Sequence, residues 1–218
     1  MIDTGVPSIL LINPNSNADT TRAMCTIAGR VLPGVRGWTA PAGPPLITDS
    51  EALAEAAAFV AAAEVAPECA GVIVSAFGDP GQAALAARLR VPVIGIGAAA
   101  ARAAAKGGRA FAVVTHTPAL ETSIDRLMNS AAPEGRYLGT YLAQGDPIAL
   151  SEDPKKLDNA LLYAAIRAHG DGAEVVIIGG GPLGEAADRL ADHAPCILVS
   201  PILRAAVELR ARLRLPTA

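Results

Sequence analysis

A buried strand that breaks into a glycine- and proline-rich turn occurs twice in this chain. The first copy is Val72-Ile73-Val74-Ser75-Ala76-Phe77-Gly78-Asp79-Pro80-Gly81 and the second is Val175-Val176-Ile177-Ile178-Gly179-Gly180-Gly181-Pro182-Leu183-Gly184. Aligning the halves gives one offset at several places: Pro92-Val93-Ile94 matches Pro195-Cys196-Ile197 (195 − 92 = 103), the strand ends Asn13 and Thr115 differ by 102, and so do Pro80 and Pro182. A spacing held by residues of different chemistry reads as an internal repeat of two similar lobes. A duplicated pair of strand ends in turn predicts a single small-molecule cleft between them.

The 218 residues are enough for one or two domains, and the 51% hydrophobic, 18% charged composition suits a compact protein whose strands are covered on both faces. A formal charge of −3 with no basic run leaves no footprint for nucleic acid or for an acidic membrane surface. Met1-Ile2-Asp3 does not open a signal peptide. The Ala-rich stretch around Phe59 is interrupted by Glu55 and Glu64, so it does not read as a membrane span. Three cysteines without metal-ligand spacing read as reduced thiols of a cytoplasmic protein with no metal.

Short β-branched runs alternate with longer Ala/Leu-rich segments, the pattern of a parallel sheet with helical crossovers. Strands are predicted at 9–13, 71–75, 91–95, 110–115, 174–179 and 196–200, with weaker ones near 37–39 and 137–140. Helices are predicted at 18–31, 49–66, 82–89, 98–106, 118–129, 154–169, 183–192 and 202–213. The fold class is α/β: two similar Rossmann-like lobes, each a parallel sheet flanked by helices, related by a pseudo-twofold axis with a cleft between them. The first lobe takes residues 1–96 plus about 201–218, and the second takes 97–200. Thr48-Asp49-Ser50-Glu51 has the capping-box pattern. Asp79-Pro80, Thr117-Pro118, Asp153-Pro154 and Ser200-Pro201 each set a capping residue before a proline suited to a first helical position. Gly170 is placed to stop the helix before it.

Open parallel sheets bind ligands beyond the carboxyl ends of their strands, where loops and helix N-termini offer free amides. The residues expected there are Asn13, Ser75, Ala76, Phe77 and Gly78 from one half, and Thr115, Thr117, Gly180 and Gly181 from the other. Asn13 and Asn15 read equally well as turn residues that bond their own backbone. Candidate proton carriers are Ser75, Asp79 and His116. Of these, Ser75 is intrinsically a weak base and Asp79 reads first as a helix cap. His116 titrates near neutrality but fits an exposed loop as well as a site. Three consecutive glycines exceed the needs of a turn, and no ribose-binding acid follows them to make a dinucleotide fingerprint.

Taken together, Ile12-Asn13-Pro14-Asn15-Ser16-Asn17 with Thr20 and Thr21, Gly43-Pro44 ahead of Ile47-Thr48, Phe77-Gly78-Asp79-Pro80-Gly81, Pro92–Ile96, Phe111–Thr115 and the second Gly-rich turn resemble the Asp/Glu/hydantoin racemase superfamily, closest to its hydantoin and allantoin racemase branch. The resemblance covers nearly the whole chain. It implies a cofactor-independent racemase or isomerase of a small amino-acid derivative, and a homo-oligomer. It also implies two cysteines, one on each face of the reacting carbon. At those positions this chain carries Ala76 and Gly180, so the resemblance implies proton transfer by other side chains. The ligand expected is a small carboxylate, ureide or hydantoin-like ring. The alternatives are a family member that binds without turnover, and a decarboxylase built on the same cleft.

Overall fold

A computed structural model describes residues 7–181 and 183–216, so Met1-Ile2-Asp3 and Pro182, with its offset from Pro80, lie outside the described residues. The first sheet is built from β1 (Ser8–Asn13), β2 (Val35–Thr39), β3 (Cys69–Val74) and β4 (Val93–Gly95), parallel throughout in the order β2-β1-β3-β4. The second uses β5 (Ala110–Thr115), β6 (Arg136–Leu142), β7 (Val175–Ile178) and β8 (Ile197–Val199) in the order β6-β5-β7-β8. The two orders are the same once β5 is laid on β1. Loop hydrogen bonds repeat as well. The amide of Ala40 donates to Asn13 O (2.9 Å) and that of Ala143 to Thr115 O (2.8 Å), while Ser75 N donates to Ile12 O (2.9 Å) and Gly179 N to Val114 O (2.7 Å). These pairs make Ser75 and Gly179 equivalent, and so the residues after them, Ala76 and Gly180.

The strands are apolar on both faces, and the period of two sorts their side chains into separate cores. Phe111, Val113, Val175 and Ile177 face inward and join Ile9, Leu11 and Ile73 of the first sheet in one core shared by both lobes. Ala112, Val114, Val176 and Ile178 face outward against α7 (Pro154–Gly170) and α8 (Gly184–Leu190). Ile12, Val72 and Val74 do the same beside α2 (Ser50–Ala62) and α3 (Gln82–Arg88).

Between the lobes runs α4 (Ile96–Ala105), in contact with β4, β5, β7 and with α5 (Glu121–Ala131) and α9 (Pro201–Arg212). A helix packed by so many elements must be apolar over most of its surface, and Gly97, Ala99, Ala100, Ala101, Ala104 and Ala105 are all buried, while Arg102 on its remaining face pairs with Glu208. Their small side chains let two sheets and two helices approach a single axis. The returning α9 lies on β3, β4 and α1 (Ala18–Gly29).

Several boundary expectations are corrected. The cap of α2 is Asp49, which accepts from Ala52 N at 2.9 Å, and not Thr48. Of the four X-Pro pairs, Asp153 caps its helix through Lys156 N at 3.1 Å, whereas Thr117 and Ser200 make no side-chain cap bond. The left-handed residue after α7 is Gly172 (φ 99°), two positions beyond Gly170. The segment from Pro118 opens as a 3-10 turn (Pro118–Leu120) before α5. One helix was missed, α6 (Pro147–Glu152), opened by Asp146, whose carboxylate accepts from Ala149 N at 2.9 Å.

Candidate functional site

The carboxyl ends of both sheets meet at a small cavity with roughly 40 Å³ of internal free space. Asn15, Leu46, Ile47, Ser75, Ala76 and Phe77 line it from one lobe, and Thr115, His116, Thr117, Leu120, Ile124 and Gly179–Gly181 from the other. Thus Ser75, Ala76, Phe77, Thr115, His116, Thr117, Gly180 and Gly181 come together as a group, while Asn13, Gly78 and Asp79 stand outside the lining. No carboxylate, lysine or arginine is among the lining residues.

The glycine triplet answers to space and not to turn geometry. None of the three has a positive φ. A Cβ on Gly179 would lie 2.7 Å from Val113 Cγ1 and 3.0 Å from the Phe77 ring, and one on Gly181 would lie 2.6 Å from Ser75 O and 2.7 Å from Met24 Sδ. These glycines are where the second lobe's turn presses against the first lobe's. At Gly180 a Cβ would sit 3.0 Å from Leu183 Cγ, so any larger residue there pushes on Leu183.

Asn13 is 1% exposed, and its amide is used up within its own loop. The two Nδ2 hydrogens are shared among Asn15 Oδ1 (2.7 Å), Thr21 Oγ1 (2.9 Å) and Asn17 O (3.1 Å), and Oδ1 accepts from Asn15 N (3.2 Å). Asn15 is the residue this brace delivers to the cavity. Its Oδ1 accepts from Asn13 and, at 2.9 Å, from Asn17 N, which orients the amide and leaves Nδ2 without a partner among the described residues. The sequence left Asn15 open between a strand-end site residue and a turn residue.

Ser75 Oγ donates to Ile12 O at 2.7 Å, so its proton is engaged by main chain. Thr115 and Thr117 pair their hydroxyls at 3.1 Å; one of the two protons closes that bond and the other is free for a ligand.

Asp79 turns away from the cavity and caps another helix. Gly95, the N-cap of α4, has no side chain to offer, and Asp79 supplies one from the neighbouring turn. Its Oδ1 accepts from Gly97 N and its Oδ2 from Ala98 N, both at 2.7 Å. Burial raises its carboxyl to about 6, against the downward pull of those two amides.

Among the described residues His116 is the single titratable residue in the lining, and it is 3% exposed, not a surface-loop residue. Nε2 lies 3.1 Å from Ser151 Oγ, and Nδ1 is closed to solvent with no partner among the described residues. Burial alone lowers its pKa from the ordinary 6.5, so it is a neutral imidazole at neutral pH. The unfolded chain takes up a proton below 6.5 that the native state resists, so this group's contribution is full above 6.5 and falls as pH drops toward its native value. Asp79 acts oppositely, with native stability declining as pH rises from 3.8 through about 6. We expect His116→Gln to flatten the acid-side loss of stability seen in urea unfolding midpoints; an unchanged pH profile would contradict a buried neutral histidine.

Cys25, Cys69 and Cys196 all lie outside the lining, and burial raises the thiols of Cys25 and Cys196. Leu46, Ile47, Leu120 and Ile124 were not foreseen as lining residues. The first two belong to a Gly/Pro-rich loop with no periodicity, and the others lie on the 3-10 turn and the amphipathic helix α5, where an apolar residue at the cavity has the same sequence pattern as one in the core.

Two duplicated parallel α/β lobes closing on one cavity at their carboxyl ends define a two-lobed α/β protein with a small-molecule site between the lobes. The sequence model for Asp/Glu/hydantoin racemase matches residues 9–209, and the chain belongs to that family, whose members are isomerases. A hydantoin racemase of Rhizobium meliloti is 31% identical over 193 residues, 84% of this chain and 78% of that protein. A hydantoin racemase of Paenarthrobacter aurescens is 27% identical over 202 residues, 89% and 86% of the two chains. The crystal structure of allantoin racemase from Pseudomonas fluorescens superimposes with a TM-score of 0.83 at 26% identity, over 97% of this chain and 93% of that one. Among the described residues no helix is long and apolar enough to cross a membrane.

Proposed function

We propose that this protein is a cofactor-independent isomerase that removes and returns the acidic C–H proton of a small neutral cyclic ureide of the hydantoin type, with His116 as the proton carrier. The observation that carries this reading is a lining in which, among the described residues, His116 is the only titratable residue, with burial holding its pKa below the ordinary value. A zwitterionic amino acid or a dicarboxylate would leave water for a cavity with no opposing charge, at a cost of several kcal/mol per ion. An uncharged ring avoids that penalty, and so the decarboxylase alternative is disfavoured. Leu46, Ile47, Phe77, Leu120 and Ile124 supply an apolar wall for a ring substituent.

Breaking the C–H bond sends its electron pair onto the adjacent carbonyl oxygen. That developing charge can be met by the Asn15 amide and the free threonine hydroxyl proton. The proton goes to an imidazole kept neutral by burial. A planar enolate has lost its handedness, and with one base its opposite face is protonated only after the ring turns, so inversion is slower than C–H cleavage.

The test uses enantiopure hydantoins with apolar 5-substituents, and allantoin, in deuterated water. Loss of the ring C–H signal and of optical rotation, both above the buffer rate, is the expected result, with aspartate and glutamate inert. Binding without either change would leave a receptor and end the catalytic reading.

A further inference from the structure

Ser151 was invisible to the sequence reading because the short helix carrying it, α6, was missed. It is an exposed residue in direct hydrogen bond with the buried His116. The serine hydroxyl has a single proton, which it donates to Pro147 O at 2.8 Å, one turn back in its own helix. With that proton engaged, Ser151 Oγ faces His116 Nε2 as an acceptor, and a 3.1 Å contact between them requires the hydrogen to be on Nε2. A neutral imidazole has one N–H. The lone pair is therefore on Nδ1, the atom that is buried and without a partner.

We infer that Ser151 is a positioning residue that locks His116 in the Nε2–H tautomer and so makes Nδ1 the one proton acceptor of the ring. This rests on the proton-transfer role assigned to His116 above. The chain of dependence is short: Pro147 O fixes the serine proton, the serine oxygen fixes the imidazole proton, and the ring nitrogen left bare is the base. When Nδ1 takes up the substrate's proton, the ring becomes an imidazolium whose Nε2–H still donates to Ser151. That bond strengthens as charge appears on the ring, which favours the transition state over the resting enzyme. In the other tautomer Nδ1 would carry hydrogen and have no capacity to accept one. Asp146, which caps α6 through Ala149 N, holds the helix that presents the serine.

The experiment compares wild type with Ser151→Ala, Ser151→Val and Ser151→Thr, reading the His116 imidazole by nitrogen-15 NMR near neutral pH and the rate of hydantoin C–H exchange. Wild type and Ser151→Thr should show an unprotonated Nδ1 and similar rates. Ala and Val should show a mixture of tautomers and a kcat lower by about tenfold or more, with KM changed less than about twofold, as for other residues that orient a catalytic imidazole. Valine keeps the shape of threonine without its hydroxyl, so failure of Val beside rescue by Thr isolates the hydrogen bond from helix packing. A protonated Nδ1 in wild type, or unchanged resonances and rates in Val, overturns the inference. If wild type exchanges no substrate proton, the catalytic reading fails, and the tautomer measurement still decides whether Ser151 sets the ring.

Discussion

Replacing His116 with glutamine is expected to lower the rate of substrate C–H exchange by about 10²–10⁴ while shifting ligand affinity less than about fivefold, the scale of losing a general base without losing a binding contact. Glutamine keeps an N–H to offer Ser151 and a similar volume, but it has no lone pair basic enough to take a proton from carbon. The rate should not fall to the buffer level, because Asn15 and the Thr115–Thr117 pair would still stabilise the enolate oxygen. In the wild-type enzyme the same rate should decline as pH falls through a value below 6.5, where burial has moved the imidazole's titration. A glutamine variant that exchanges at the wild-type rate would transfer the chemistry to another group. With Ser75 Oγ bonded to main chain and Asp79 outside the lining, no second titratable group among the described residues lines the cavity to take it.

How far the sequence revealed the fold depended on whether a feature was local or arose from contact between lobes. The strands were legible because burial on both faces makes them continuous apolar runs, and the repeat was legible because duplicated turns preserve their spacing. The equivalence of Ala76 and Gly180, implied by family resemblance, is matched by the paired amides of Ser75 and Gly179. The glycine triplet was recognised as excessive, but its reason, the close approach of Phe77, Ser75 and Met24, is a tertiary fact. His116 sits at the strand end expected from sequence, yet nothing local separates a buried loop histidine from an exposed one. Asp146-Pro147 carried the same cap-and-proline signature as Asp153-Pro154, but six residues are too few for an apolar period to show, so α6 and Ser151 went unseen. Asp79-Pro80 was read as a cap, correctly in kind and wrongly in target. A cap that acts across a turn cannot be assigned from the order of residues alone.

That misassigned cap makes Gly95→Ala the second large effect to expect. Gly95 has φ −86° and ψ 139°, a conformation alanine adopts freely, so backbone strain is not the issue. The added Cβ would fall 2.2 Å from Cγ of Asp79 and 2.3 Å from Oδ2. The carboxylate must leave, and Gly97 and Ala98 then lose their acceptors at the start of the helix that runs between the lobes. Crowding and a lost cap together should cost roughly 3 kcal/mol, as a drop in urea unfolding midpoint. Asp79→Gly is the matching single variant. Asp79 has φ 51°, where glycine is at ease, so this change removes the cap without adding backbone strain, and about 1–2 kcal/mol should be lost. In the double variant the methyl group meets the space the carboxylate has vacated, and Gly95→Ala should then cost less than about 1 kcal/mol. The shortfall from additivity, on the order of 2 kcal/mol, measures the steric exclusion of Asp79 by residue 95. Strict additivity would mean that the two residues do not compete, and that α4 finds its first-turn acceptor elsewhere.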